Sequence, residues 1–391
     1  MPAGSRIGDG LALGDDLLAA VDRAVAAALG PLGGTRPDLA CVFVTGSAPG
    51  LAEAALLRAG EALGARNVVG CTANGVIADG HGVEGVPGVS VWAASLPSVE
   101  VRAFHLEVLR TSDAIAVLGM PERRDDDVVG VILADPWSFP VDGFVAHSHD
   151  ALRGLPLTGG VAGGSAAAGD TRLLVDGRVH DRGAVGVVLG GDVAVHTLVA
   201  PGCRTIGRPM TVTRAEGATI LELAGRPALQ QAKDAVSTLP DDEQPTAVRG
   251  LHLGVVVDEY ADEHTAADFL VRGIAAADHV TRSITVGDVV PVGSTVQFLL
   301  RDPVAAHADL AEVLVAFRSR MGLAPLAGAL LFSGDSRGGS MFASPDHDVE
   351  AVRGALGLDS VAGFFAAGEI GPLGGRNQVL GLTATVLAFG T

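Results

Sequence analysis

The strongest constraint on the fold is a theme that the chain states three times: an apolar strand, a polar or Gly-rich break, an amphipathic helix, and a second strand ending in small residues. The first copy runs "LACVFVTGSAPG", a helix over "LAEAALLRAGEALG", then "NVVGCTANG". The second runs "DVVGVILADPW", a helix over "VDGFVAHSHDALRG", then "LPLTGGVAGG". The third runs "LAGALLFSGDSRGG", a helix from Pro345 to Leu356, then "SVAGFFAAGEIG". Each copy has the length of a strand–helix–strand crossover, the connection that parallel strands require. In the third helix Ser344 can cap, Pro345 takes the first helical position, Val349, Val352 and Leu356 share a face, and Gly357 stops it.

Between the copies, "VSVWAASLPSVEVRAFHLEV", "RLLVDGRVHDRGAVGVVLGGDVAVHTLV" and "SITVGDVVPVGSTVQFLL" read as antiparallel strands, with DG and GG pairs as hairpin turns. The chain is therefore expected to be α/β of the mixed, α+β kind: two lobes built on mixed β-sheets with repeated strand–helix–strand units and antiparallel hairpins. An N-terminal helix, "DDLLAAVDRAVAAALG", and its linker occupy residues 1–35, the first lobe 36–225 and the second 226–391. The division near Gly225 lies just before residues 237–250, a polar, Pro-containing stretch with neither helical nor strand periodicity.

The formal charge of −18 argues against a nucleic-acid partner and against an anionic membrane surface, since both need clustered Lys and Arg. Lys233 is the only lysine, which excludes a Walker lysine or Schiff-base chemistry anywhere else in the chain. The lysine-poor, Ala/Gly/Val/Arg-rich composition is that of a GC-rich bacterial coding sequence. Cys41, Cys71 and Cys203 form no CxxC pair and are too few for a disulfide framework, which suits a reducing cytoplasm. The N-terminus lacks a signal-peptide pattern, and no uninterrupted apolar stretch reaches the roughly 18 residues of a membrane span. The expected location is cytoplasmic.

Three motifs resemble chemistry. "GDSRG", residues 334–338, fits the G-x-S-x-G nucleophile elbow, but no helix is expected directly after Ser336, and His347, the only histidine beyond it, falls in a predicted first helical turn. A serine hydrolase using Ser336 is thus an alternative reading. "GHGVEG", residues 80–85, matches G-x-G-x-x-G, yet a strand-like segment follows it and a dinucleotide site needs a helix there, so a loop is expected. In "HSHD", His147 and His149 lie two apart on a predicted helix and point about 200° apart, so they cannot share a metal ion. No metal and no cofactor are expected.

Arg337 and Glu369 allow two readings. In one, Asp335 and Ser336 are turn residues, Arg337 is a surface arginine and Glu369 faces solvent. In the other, the strand ends of each crossover share a sheet edge, where open α/β sheets bind ligands. Thr45, Ser47 and Asn74 would then line the first copy's edge, Asp135 and Trp137 the second's, and Asp335, Arg337 and Glu369 the third's, with Arg337 offsetting the desolvation of Glu369. "GCTANGVI" (70–77) and "GFFAAGEI" (363–370) also share G-x-x-A-x-G-x-I, with Val76 where Glu369 stands. Either common architecture or chance between Ala/Gly-rich segments could produce this match.

"DLACVFVTG", "VVGCTANGVI", "LPLTGGVAGG", "RGAVGVVLGG", "GRPMTVTRAEGATILELAGRPAL", "VQFLLRDP", "GALLFSGDSRGGSMF" and "VAGFFAAGEIGPLGG" follow one another as they do in proteins with a FIST-N domain followed by a FIST-C domain, and the chain resembles that family over residues 36 to 389. The resemblance implies a cytoplasmic sensory or signal-transduction module that binds a small ligand, such as an amino acid. With no room for an output domain, it would signal through a separate protein. Arg337 would hold a ligand carboxylate, while Glu369 would either receive an ammonium group or orient Arg337. A ligand-free protein-interaction scaffold is a further alternative. Two departures stand out: Gly334 occupies the place of the cysteine in the usual "FSCxGRG", and Val76 that of the glutamate in "GCSTAGEI".

Overall fold

The structure is a computed structural model that describes residues 4–112, 114–257, 259, 268–322 and 324–391. The N-terminal segment, expected as helix and linker, opens with a strand, β1 (Arg6–Leu13), before helix α1 (Leu17–Leu29), whose start is capped by the Asp16 carboxylate. The first copy supplies β2 (Leu39–Thr45), α2 (Pro49–Leu63) and β3 (Asn67–Thr72), then a hairpin of β4 (Gly75–Ala78) and β5 (His81–Glu84). Strands β6 (Gly88–Ser95), β7 (Val99–Arg110) and β8 (Ile115–Leu118) lead to the second copy, β9 (Asp127–Ala134), α3 (Val141–Ala151) and β10 (Leu157–Val161). Its hairpin is β11 (Leu173–Val175) with β12 (Arg178–His180), followed by β13 (Ala184–Gly191) and β14 (Val195–Ala200).

The middle of the chain contains β15 (Cys203–Glu216), β16 (Thr219–Leu223), β17 (Arg226–Pro227), helices α4 (Ala228–Val236) and α5 (Gln244–Gly250), then β18 (Leu251–Val256), β19 (Phe269–Asp278), β20 (Ser283–Val286), β21 (Thr295–Arg301) and helix α6 (Pro303–Met321). The third copy is β22 (Leu326–Gly334), a short α7 (Gly338–Met341), α8 (His347–Leu356) and β23 (Val361–Ala366). A hairpin of β24 (Glu369–Leu373) and β25 (Arg376–Leu380) and a last strand β26 (Ala384–Gly390) end it. Helix α8 begins two residues after Pro345, and Gly357 closes it with a left-handed φ of 67°.

The chain is of mixed α+β class. Two compact units divide it: one takes the chain up to Val199 with Leu310–Val379 and Thr383–Thr391, the other Ala200–Asp309 with Leu380–Leu382. The sequence-based division near Gly225 falls inside the second unit, and the stretch expected to be aperiodic contains α5. In the second unit β15, β21, β18, β19, β20 and β16 follow one another, and pairing of β15 with β16 closes them into a barrel. Helix α4 contributes Ala228, Ala232 and Val236 to the barrel's core beside Val212, Leu253 and Phe298.

In the first unit all three copies keep the expected parallel pair, β2 with β3, β9 with β10 and β22 with β23. Each pair also takes its neighbour from elsewhere in the chain. Strand β11, which follows β10, pairs with β3; β24, which follows β23, pairs with β10; β4, which follows β3, pairs with β23. The three sheets thus exchange hairpins in a closed cycle, and one apolar core, including Phe43, Trp92, Leu133, Val187, Phe332 and Phe364, draws on all of them. A polar side chain pins each exchanged hairpin: Asp176 accepts the Val68 N–H at 3.1 Å, Asp346 the Gly82 N–H at 2.8 Å, and Asn377 bonds Leu157 and Leu155.

The hairpin turns follow the DG signal where both residues turn left-handed, at Asp79–Gly80 (φ 50° and 77°) and Asp176–Gly177 (φ 44° and 75°). "GHGVEG", expected as a loop, carries β5. The GG pair at 190–191 makes no hairpin, because β13 and β14 belong to different sheets.

One glycine recurs at the same place in each second strand. Gly70, Gly159 and Gly363 are the register partners of Val42, Ile132 and Leu331, and a Cβ on them would lie 2.3, 2.0 and 1.7 Å from those residues' carbonyl oxygens. All three begin G-x-x-A-x-G: "GCTANG", "GGVAGG" and "GFFAAG". The second copy departs at the last of the eight positions, where Ala166 stands in place of isoleucine and the chain is a loop that reaches β11 only at Leu173. Common architecture is therefore the source of the match. Gly363→Ala is expected to destabilise by about 3 kcal/mol or more, or to prevent folding, because backbone must move. Gly354→Ala, on α8 with open space around it, is expected to stabilise by about 0.5–1 kcal/mol. Urea unfolding of the two variants checks both signs.

Candidate functional site

At the C-terminal ends of parallel strands the chain leaves the sheet, and the freed backbone and side chains can meet a ligand. Here the ends of the three copies are tied together by Asn74, which follows β3. Its Nδ2 donates to Asp335 Oδ2 at 2.8 Å, its Oδ1 accepts the Gly164 N–H at 2.6 Å, and its backbone carbonyl accepts the Thr45 hydroxyl at 3.1 Å. Ser165, next to Gly164, accepts Trp137 Nε1–H at 3.0 Å. Thr45, Asn74, Asp335 and Trp137, expected on separate sheet edges, thus form one hydrogen-bonded line across all three copies. A side chain at position 163 would collide with Asn74, its Cβ 2.7 Å from the amide carbon, so the Gly163–Gly164 turn is what lets Asn74 lie there.

Asn74 and Asp335 are exposed, and Trp137 is 52% exposed. Ser47 is half-buried just before α2 and joins none of these bonds. Asp135 is fully buried at the end of β9: one oxygen accepts both the N–H and the hydroxyl of Ser138, at 2.8 and 2.6 Å, while Oδ1 has no hydrogen-bond partner among the described residues.

Beneath the edge lie two buried ionisable groups, Arg337 and Glu369. Arg337 is completely buried, neither the surface arginine of one expectation nor in a fork with the Glu369 of the other. Its Nε and one terminal nitrogen grip the Asp348 carboxylate at 2.7 and 2.9 Å. Ser333 donates to the same carboxylate at 2.7 Å, and His347 Nδ1 lies 2.9 Å from it. The His347 ring stacks on Phe342 at 3.6 Å, and the guanidinium carbon sits 5.5 Å from the centre of that ring. Burial pushes the Asp348 carboxyl up, but the Arg337 charge and fork, with His347 and Ser333, hold it well below the usual carboxylate range.

Glu369 opens β24 and is buried, not solvent-facing. Its Oε2 accepts the Thr383 N–H at 3.0 Å and the Thr383 hydroxyl at 2.5 Å. Gly334 makes room for the other oxygen, since a Cβ there would lie 2.6 Å from Oε1. Burial pushes the carboxyl up to about 8 against the Thr383 bonds, while Arg337 contributes a favourable charge through space and Asp335 an unfavourable one. Asp348, Thr383 and Ser165 escaped the sequence reading. Only Ser165 had a signal, as the residue that follows G-x-x-A-x-G in the second copy, where Val76 and Glu369 stand in the others.

Short helix α7 starts two residues after Ser336, where no helix was expected, and Glu84 accepts the Gly339 N–H at 2.7 Å. The Ser336 hydroxyl has no hydrogen-bond partner among the described residues. His147 turns its Nδ1 to the Gly143 carbonyl at 2.7 Å.

Family comparison accounts for this architecture. Residues 38–226 match the FIST N domain and residues 228–372 the FIST C domain. The chain belongs to the FIST family. Tandem FIST domains are in general sensory and signal-transduction domains, which fits a module whose three strand edges are tied to one another. This FIST chain is similar to uncharacterized protein Rv0628c of Mycobacterium tuberculosis, at 40% identity over 384 residues, 98% of this chain and 99% of the relative. It is likewise 38% identical to uncharacterized protein Mb0898c of Mycobacterium bovis over 385 residues, 98% of both chains. Among the described residues, no helix is long and apolar enough to cross a membrane.

Two measurements follow from the buried charges. Glu369 has a folded pKa above its unfolded value, so the folded state holds a proton that the unfolded state releases above the ordinary carboxylate range. Its contribution to stability is whole below that range and is lost as pH rises towards about 8. Glu369→Gln, which can still accept from Thr383, should flatten the decline in unfolding free energy between pH 5 and pH 8; an unchanged slope would refute the assignment. Arg337→Met should cost about 3–5 kcal/mol by stranding Asp348, and Arg337→Met with Asp348→Leu should recover much of that loss in urea unfolding.

Proposed function

We propose that this FIST chain is a cytoplasmic sensor that binds a small polar metabolite along the strand-end edge and passes its state to a separate signalling protein. The observation that carries the reading is the line Asp335–Asn74–Gly164 with Ser165–Trp137, which couples the ends of three crossovers at an exposed edge. A ligand that competes for Asn74 or Asp335 changes how three sheets are tied, and a local binding event then has a route to the surface as a whole.

The charges at the edge favour a ligand with an amino group. Asp335 is exposed there, and Asp135, buried just after β9, keeps one carboxylate oxygen without a hydrogen-bond partner among the described residues. Arg337, expected to hold a ligand carboxylate, is committed to Asp348, and freeing it would strand a buried carboxylate. An amino acid would thus be recognised first through its ammonium group, with the exposed Trp137 ring offering an apolar and cation-binding face. A nucleophilic role for Ser336 would need a base on its hydroxyl, and the structure offers no observation in favour of that reading or of a ligand-free scaffold.

A thermal-shift screen of amino acids and small amines, followed by calorimetry, tests the reading. A ligand at 100 times its dissociation constant adds about 2.7 kcal/mol of stability. Asn74→Ala, Asp335→Asn and Trp137→Ala, all at exposed positions, should each weaken binding by about tenfold, or 1.4 kcal/mol, with little loss of stability. A ligand that binds all three variants as it binds the parent chain would refute the site.

A further inference from the structure

The second unit carries a feature that owes nothing to the edge of the first. Between α4 and α5, over the start of β18 and the strands β19 and β20, runs a groove of about 330 Å³. Leu229, Val236, Leu251, Ile274 and Ile284 form its walls, and Val248 borders it with 68% of its surface exposed. At its mouth stand Lys233, the only lysine in the chain, and His279.

The charge arrangement is one-sided. Among the described residues no carboxylate lines the groove, in a chain that carries a net −18. The three next to lining residues are occupied elsewhere: Asp234 is paired with Arg226 at 2.7 Å, Glu243 with Arg204, and Asp278 accepts the N–H groups of Val280 and Thr281 at 2.7 and 3.2 Å. Lys233 makes no ion pair among the described residues, and its side chain is exposed on the groove side of α4. An apolar trough with one uncompensated ammonium at its mouth is complementary to an anion with an alkyl tail.

We propose that this groove binds a medium-chain aliphatic carboxylate, the carboxylate at Lys233 and the chain along the wall formed by Leu229, Val236, Ile274 and Ile284. At about 330 Å³ the groove lies at the small end of ligand pockets, which suits a single chain of medium length. A phosphate or a short dicarboxylate would leave the apolar wall wet. A longer acyl chain would project into solvent.

Calorimetric titration of the full chain with decanoate, and separately with decylamine, both below their micellar concentrations, tests the assignment. Decanoate is expected to bind and decylamine to bind at least fivefold more weakly. Lys233→Met should weaken decanoate about fivefold, the range of a partly solvated ion pair. Ala277→Trp, which fills the groove from an exposed strand position, should abolish binding while leaving the melting temperature in place. Val248→Trp on α5 serves as a second block if the first variant proves unstable. No heat with decanoate, equal binding of decylamine, or parent-like binding by Lys233→Met and a folded blocking variant would each overturn the proposal.

Discussion

Everything in the first unit depends on a backbone contact so close that only glycine permits it. At Gly70, Gly159 and Gly363 the second strand of each parallel pair runs against its partner with the carbonyl of Val42, Ile132 or Leu331 where a Cβ would be. The exchanged hairpin then adds to the second strand of each pair. Since β4, β11 and β24 each complete another copy's sheet, no copy can satisfy its own edge alone. The cycle thus makes three weak sheets into one cooperative body around a common core.

The same exchange explains why Glu369 sits where it does. Glu369 is the first residue of an exchanged hairpin, so pairing of β24 with β10 carries it inward, and Thr383, just before β26, is waiting there to donate. Arg337 belongs to the turn after β22, and the helix that follows brings Asp348 back over it. Both groups are held by their own copy's connections. What reaches solvent is Asn74, Asp335 and Trp137, while the buried groups are taken up by their own ion pair and hydrogen bonds.

Much of this was legible in the residues. Strand–helix–strand periodicity located all three parallel pairs and their helices, and Asp176–Gly177 announced its hairpin because a tight two-residue turn needs left-handed backbone at both positions. β1 was hidden, since "RIGDGLAL" mixes glycine and charge and becomes a strand only by pairing with β6. The partner of Arg337 was hidden too. Glu369 and Asp348 are both carboxylates within reach of a flexible guanidinium in sequence terms, and only the return path of α8 chooses between them. The Asn74 line could be read as a set of edge residues but not as one line, because its bonds join positions up to 261 residues apart.

By itself, the sequence determined the local grammar of the three copies: their strands and helices, where an Asp-Gly pair must turn, and which polar residues stand at strand ends. These follow from periodicity and from the conformational limits of single residues, and both act over a few positions. Only the tertiary structure decided which copy completes which sheet, that Arg337 belongs to Asp348, and that Asn74 joins three copies at one edge. Those choices turn on distances between segments remote in the chain, where several pairings are chemically equivalent and packing around a shared core selects one of them.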